Sequence, residues 1–243
     1  MAEVKMCLTG IKELDVALNG GFPEGACVLV AGSSGTGKTI LSLEYLFRGI
    51  KEFHENGVYV TLTEPLFKVL QNLEGFDFYD HEAIMSGAIT IMDLRQLSEK
   101  MGLKLGMIMI QEPEVILDVL ENAVKGVKAK RLVLDSVTAV CYHLKDPEKI
   151  RNFIFKLGTS LAGMGCTTIL ISELPPNERI FSRFGVEEFI SDGIVLLEQF
   201  ERKGTLFRTL QVVKMRGKNH KRDKQMLVIT PQGIKLAPLI EEA

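Results

Sequence analysis

Eight consecutive residues, Gly32-Ser33-Ser34-Gly35-Thr36-Gly37-Lys38-Thr39, constrain this chain more than any other stretch, because they fill every fixed position of the pattern G-x-x-x-x-G-K-[ST]. The run before them, Ala26-Cys27-Val28-Leu29-Val30-Ala31, is short, apolar and rich in strand formers, and Ile40-Leu41-Ser42-Leu43-Glu44-Tyr45-Leu46-Phe47 after them has helical spacing. A glycine-rich loop between strand and helix turns successive backbone N–H groups inward, and the helix N-terminus adds partial positive charge. Such a loop is built to receive phosphate oxygens. Ser33, Ser34, Gly35, Thr36, Gly37, Lys38, Thr39 and Ile40 then form the cradle. Within it Lys38 reaches the β- and γ-phosphates and the Thr39 hydroxyl takes Mg²⁺. The competing reading, a glycine turn that happens to precede a helix, needs every fixed position filled by chance.

Composition narrows the class. The chain has 243 residues, 46% hydrophobic and 25% charged, ordinary values for a soluble globular protein, and suits one large α/β domain over residues 1–243. A formal charge of -2 gives no overall attraction to nucleic acid or an anionic membrane, so any polyanion binding has to be local. Cys7, Cys27, Cys141 and Cys166 form no C-x-x-C pair and no zinc spacing with His54, His81, His143 and His220, as expected of reduced thiols in a cytoplasmic protein. The N-terminus lacks the apolar core of a signal peptide, and no apolar run is long enough to span a bilayer.

Taken in order, residues 9–25 read as a short amphipathic helix stopped by Gly20-Gly21 and a turn into the phosphate-loop strand. The following helix should run to about Phe53, with Glu55-Asn56-Gly57 turning into a strand at 58–63. Glu64 stands at that strand's carboxyl end, where ligands of open parallel sheets bind, closed off by Pro65. Alternatively it begins the next helix. A third strand covers 88–93, and residues 94–112, interrupted by Gly102 and Gly106, admit no assignment. An amphipathic helix from Pro113 to near Gly126 leads into Arg131-Leu132-Val133-Leu134-Asp135-Ser136, an apolar strand whose terminal Asp135 is placed to hold Mg²⁺ or its waters. Helix 147–164, strand 166–172 ending at Ser172-Glu173, a loop to about Glu188, and strands 193–198 and 206–213 joined at Gly204-Thr205 complete the pattern. The fold class is α/β, a mainly parallel sheet flanked by helices with antiparallel strands toward the C-terminal end.

These marks together resemble the KaiC-like branch of RecA-type P-loop ATPases from Thr9 to about Leu236. The most specific are Leu18-Asn19-Gly20-Gly21-Phe22-Pro23-Glu24-Gly25, the loop at 32–39, Val60-Thr61-Leu62-Thr63-Glu64-Pro65, Asp135-Ser136, Ser191-Asp192-Gly193-Ile194 and Lys214-Met215-Arg216-Gly217-Lys218-Asn219-His220. The resemblance implies a RecA-like core that binds ATP or ADP between neighbouring subunits of a homo-oligomeric ring, commonly a hexamer. It also gives meaning to the basic residues crowded between 214 and 224, where Asp223 is the only acid. Composition alone suggests either a polyanion patch or a solvated turn. In the family the matching lysine and arginine contact the phosphates held by the next subunit, so Lys214 and Arg216 are expected to act in trans and His220 at the interface. One departure from the resemblance stands out: members of that family carry two adjacent acidic residues where this chain has Thr63-Glu64.

Three functions follow. In the first, the protein is a slow ring-forming ATPase with a regulatory role, in which Lys38, Glu64, Lys214 and Arg216 serve catalysis and Thr39 with Asp135 holds Mg²⁺. In the second, loss of the paired carboxylate leaves a non-hydrolysing switch that assembles with ATP and signals to an unknown protein partner. In the third, it is a RecA-like DNA-binding ATPase. The stretches 138–147 and 174–189 carry no excess of cation, which argues against nucleic acid. Autophosphorylation is compatible with the family, but no acceptor is named by the sequence.

Overall fold

The strand Cys27–Gly32 is buried at every position, and a strand with no polar face has to be covered on both sides. The computed structural model describes residues 5–95, 97, 113–176, 178 and 180–239, and supplies that cover. Its elements begin with β1 (Met6–Cys7), α1 (Lys12–Ala17), β2 (Phe22–Pro23), β3 (Cys27–Gly32), α2 (Lys38–Phe53), β4 (Gly57–Thr61), α3 (Leu66–Gln71), α4 (His81–Met85) and β5 (Ile89–Asp93). They continue with α5 (Pro113–Val127), β6 (Arg131–Asp135), α6 (Val137–Leu144), α7 (Pro147–Gly163), β7 (Thr167–Glu173) and α8 (Glu187–Ile190). Four strands close the chain: β8 (Gly193–Arg202), β9 (Thr205–Met215), β10 (Gln225–Thr230) and β11 (Gly233–Pro238).

Among the described residues the main sheet has nine strands in the order β11-β10-β9-β8-β3-β7-β6-β4-β5. Every pairing from β8 to β5 is parallel, whereas β8-β9, β9-β10 and β10-β11 are antiparallel. This is the mainly parallel α/β sheet with antiparallel C-terminal strands that the sequence pattern requires. One face carries Val28, Val30, Tyr59, Val133, Ile169 and Ile171 against α1 and α2. The other carries Leu29, Ala31, Val58, Val60, Leu132 and Leu134 against α5, α6 and α7. Each such side chain contributes on the order of 1.5–3 kcal/mol by leaving water. Arg131, fully buried at the start of β6, donates to Glu55 Oε2 at 2.7 Å and to the Tyr45 carbonyl at 2.8 Å, which ties the sheet to the end of α2.

Several boundaries differ from expectation. The second strand stops at Thr61, leaving Thr63 and Glu64 in the turn beyond it. Residues 138–147, the stretch weighed above for DNA contact, are mostly the helix α6, packed through Val137, Val140, Cys141 and Leu144. The segment 94–112 lies outside the described residues apart from 94, 95 and 97. α7 starts as its sequence asks, with Pro147 in the first turn and Asp146 accepting from the Glu148 N–H at 2.9 Å. The parallel arrangement brings the carboxyl ends of β3, β4, β6 and β7 to one edge of the sheet, where such folds bind their ligands.

Candidate nucleotide site

Glycine at the end of β3 is required by contact: a β-carbon at Gly32 would collide with the Leu197 carbonyl and lie 2.9 Å from Thr36 Oγ1. Two further glycines, Gly35 at φ +79 and Gly37 at φ +101, occupy the left-handed region and curl the loop back over the start of α2. Thr36 Oγ1 donates to the Ser33 carbonyl at 2.9 Å and Lys38 Nζ reaches the same carbonyl at 2.8 Å, so the lysine lies folded across the loop it serves. Burial pushes the Lys38 ammonium below its ordinary range, while the charges of Glu173 and Asp135 pull it back up. A buried ammonium with its charge incompletely balanced is suited to a phosphate.

Asp135 ends β6, in register with Thr61 of β4, and only 6% of it is exposed. Its Oδ2 accepts from Thr39 Oγ1 at 2.9 Å and from the Tyr59 hydroxyl at 2.8 Å. Burial raises the Asp135 carboxyl above its usual range, opposed by those two hydroxyls and by Lys38. A hydroxyl and a carboxylate side by side are hard oxygen donors, and beside a phosphate cradle they fit Mg²⁺. The sequence singled out Thr39 and Asp135. Tyr59 it did not.

The cleft over the loop has a volume of about 670 Å³ and is lined by the loop, Thr63, Glu64, Asn72, Asp135, Glu173 and Arg208. Glu64 is held at the strand tip by a reciprocal pair: its N–H donates to Thr61 Oγ1 at 3.1 Å and its carbonyl accepts from the same hydroxyl at 2.9 Å. Its carboxylate accepts from Asn72 Nδ2 at 3.3 Å, so the turn aims it into the cleft. Arg208, on β9, donates from Nε to the Gly35 carbonyl at 2.8 Å and adds a cation to the rim. No local sequence signal marks Arg208, because its place depends on strand order. Leu43, Val69, Leu73 and Ile229 give the cleft an apolar wall.

Lys214 and Arg216 lie elsewhere. Lys214 pairs with Ile194, beside the start of β8, and the start of β8 pairs with Val28 near the start of β3. The phosphate loop leaves the other end of β3, so these cations sit about a strand length, ~17–20 Å, from their own chain's phosphate site. Lys214 Nζ donates to the carbonyls of Glu188 at 2.9 Å and Ser191 at 2.7 Å. Arg216 donates to the carbonyls of Phe189 at 2.6 Å and Ile190 at 3.1 Å, and its side chain remains 53% exposed. Two more cations of the basic stretch are tied down: Lys218 Nζ donates to the Gly21 carbonyl at 2.9 Å, and Lys224 pairs with Glu198 at 2.6 Å. His220 follows this anchor, and among the described residues neither of its ring nitrogens has a partner.

A glycine-rich loop at the end of a parallel strand, an acidic strand tip beside it and an antiparallel extension of the sheet define a P-loop ATPase core of the RecA type. The chain belongs to the KaiC ATPase family: the family model described as "ATPase: KaiC" matches residues 7–241. A UPF0273 protein of Methanopyrus kandleri is 37% identical over 238 residues, covering 97% of this chain and 93% of that one. The circadian clock oscillator protein KaiC of Synechococcus elongatus is 32% identical over 231 residues, covering 95% of this chain but 44% of that protein. Among solved structures, the KaiC-like protein PH0186 of Pyrococcus horikoshii superposes with a TM-score of 0.82 at 34% identity, over 97% of this chain and 100% of that one.

Proposed function

We propose that the protein is a slow ATPase whose site is completed by a neighbouring copy in a homo-oligomeric ring, commonly six-membered in this family, with a regulatory role in the cytoplasm. The loop N–H groups and Lys38 bind the triphosphate, and Thr39 with Asp135 holds Mg²⁺, which when bound neutralises charge on the phosphate oxygens. Glu64 orients the attacking water and takes its proton. Lys214 and Arg216 of the next subunit offset the charge that develops on the transferred phosphoryl group, with His220 at the same interface.

The observation that carries this reading is the position of Lys214 and Arg216. They are fastened to the carbonyls of 188–191, at the far end of the sheet from their own phosphate loop and out of reach of a phosphate bound there. Arg216 also borders a second cleft of about 650 Å³ beside Phe155 and Phe189, which are 62% and 63% exposed. Exposed aromatics beside a cation suit a subunit contact.

The lone carboxylate at Thr63-Glu64 favours a second reading, a nucleotide-driven assembly switch that hydrolyses nothing. Phosphate release from ATP with Mg²⁺, measured against protein concentration with Lys38→Ala as blank, separates the two. Turnover per subunit that climbs to a plateau supports the shared-site ATPase. ATP-dependent assembly without release supports the switch.

A further inference from the structure

A buried phenol needs a partner for its hydroxyl, and Tyr59, fully buried on β4, has committed its own to Asp135. The register explains how. Thr61 lies opposite Asp135 and Tyr59 opposite Val133, so Tyr59 shares a sheet face with Asp135 one strand away. Apart from Thr61 and Asp135 toward the strand tip, the residues around it are apolar, and phenylalanine would fill the same space. The added oxygen therefore acts on Asp135.

Each oxygen of an ionised carboxylate accepts about two hydrogen bonds. Asp135 Oδ2 already accepts two, from Tyr59 at 2.8 Å and from Thr39 at 2.9 Å. Only Oδ1 is left to face a metal or one of its waters. Ca²⁺ prefers six to eight oxygens and readily takes both oxygens of one carboxylate, whereas Mg²⁺ keeps an octahedral shell with several waters. We propose that Tyr59 is a positioning residue that makes Asp135 a one-oxygen partner of the metal and so selects Mg²⁺ over Ca²⁺. This rests on the nucleotide site assigned above and names what sets its cation preference.

The test is equilibrium binding of a fluorescent ATP analogue to the full chain and to Tyr59→Phe, titrated with Mg²⁺ alone or Ca²⁺ alone. The wild-type chain should need far more Ca²⁺ than Mg²⁺ to reach half-maximal binding. In Tyr59→Phe the ratio of the two midpoints should fall by about tenfold or more, the scale on which partners of metal ligands act. Tyr59→Leu carries the same expectation, so a packing defect in one variant does not decide the outcome. An unchanged ratio in both variants, with cation-dependent binding intact, overturns the proposal. A wild-type chain whose nucleotide binding responds to neither cation overturns the metal-site reading beneath it.

Discussion

The N–H of Cys27 donates to Asp192 Oδ2 at 3.0 Å, and the N–H of Asp192 donates back to the Cys27 carbonyl at 2.8 Å. The first residue of the phosphate-loop strand is thus clasped by a residue that also pairs with Arg216, whose Nη1 lies 3.4 Å from Asp192 Oδ1. Replacing Asp192 by alanine leaves the Cys27 N–H with no acceptor. We expect a loss of roughly 1–3 kcal/mol in a denaturant titration, the cost of an orphaned buried donor, together with slower turnover. Full stability in that variant would show the clasp to be idle.

Arg216→Ala should reduce turnover by about a thousandfold or more while leaving ATP affinity at its own loop nearly unchanged, as expected of a cation supplied in trans. Mixing it with Lys38→Ala subunits, themselves unable to bind, should restore activity. Where an Arg216→Ala subunit offers its loop and a Lys38→Ala subunit its arginine, both groups are intact, whereas the opposite contact has neither, so recovery should be partial. If mixing restores nothing, Arg216 serves its own subunit or none.

Glu64→Gln keeps the shape and the acceptor for Asn72 but cannot take a proton. Turnover should drop by about a hundredfold or more with nucleotide binding preserved. Equal rates in the variant and the wild type would move the role of base away from the strand tip.

Glu44 offers a pH test away from the nucleotide. It is fully buried on α2, accepts from the Ile234 N–H at 2.7 Å and pairs with Arg48 at 2.7 Å, yet burial outweighs these and raises its carboxyl above 4.5. A folded-state value above the unfolded one means the folded chain binds the proton more readily. The ionised form therefore weakens the fold at neutral pH, and that weakening fades as pH falls from the raised value toward 4.5. Wild-type stability relative to Glu44→Gln should thus rise as pH is lowered from 7 toward 4.5. Melting curves of both chains across that range would reveal a difference of opposite slope if the sign is wrong.

Local signals were legible and distant ones were not. The loop at 32–39 and the strand ending in Asp135 depend on residue type at fixed spacing, so the sequence displays them directly. α6 was missed because Val137-Thr138-Ala139-Val140 reads as more strand than helix, and packing overrides that propensity. The hairpin of β10 and β11 has only a weak mark in the sequence, because Met226-Leu227-Val228-Ile229 form a continuous apolar run before the Pro231-Gln232 turn and alternation is confined to Ile234 and Leu236. Tyr59 and Arg208 were invisible for a deeper reason. Their meaning comes from register and strand order: Tyr59 matters because β4 adjoins β6, and Arg208 because β9 curls its side chain over a loop two strands away. The displacement of Lys214 and Arg216 from their own loop likewise needs the antiparallel turn of β9 to be seen.

That strand has one more property. β9 runs from Thr205 to Met215, with Arg208 touching the chain's own loop near one end and Lys214 at the other, just past a shift of register at Val213. In the ring proposed above its two ends would lie beside two different nucleotides. A loop that shifts when its ligand changes would then bias the adjoining site, and that site would bias the loop by the same amount. Neighbouring sites would share one binding equilibrium through a single strand.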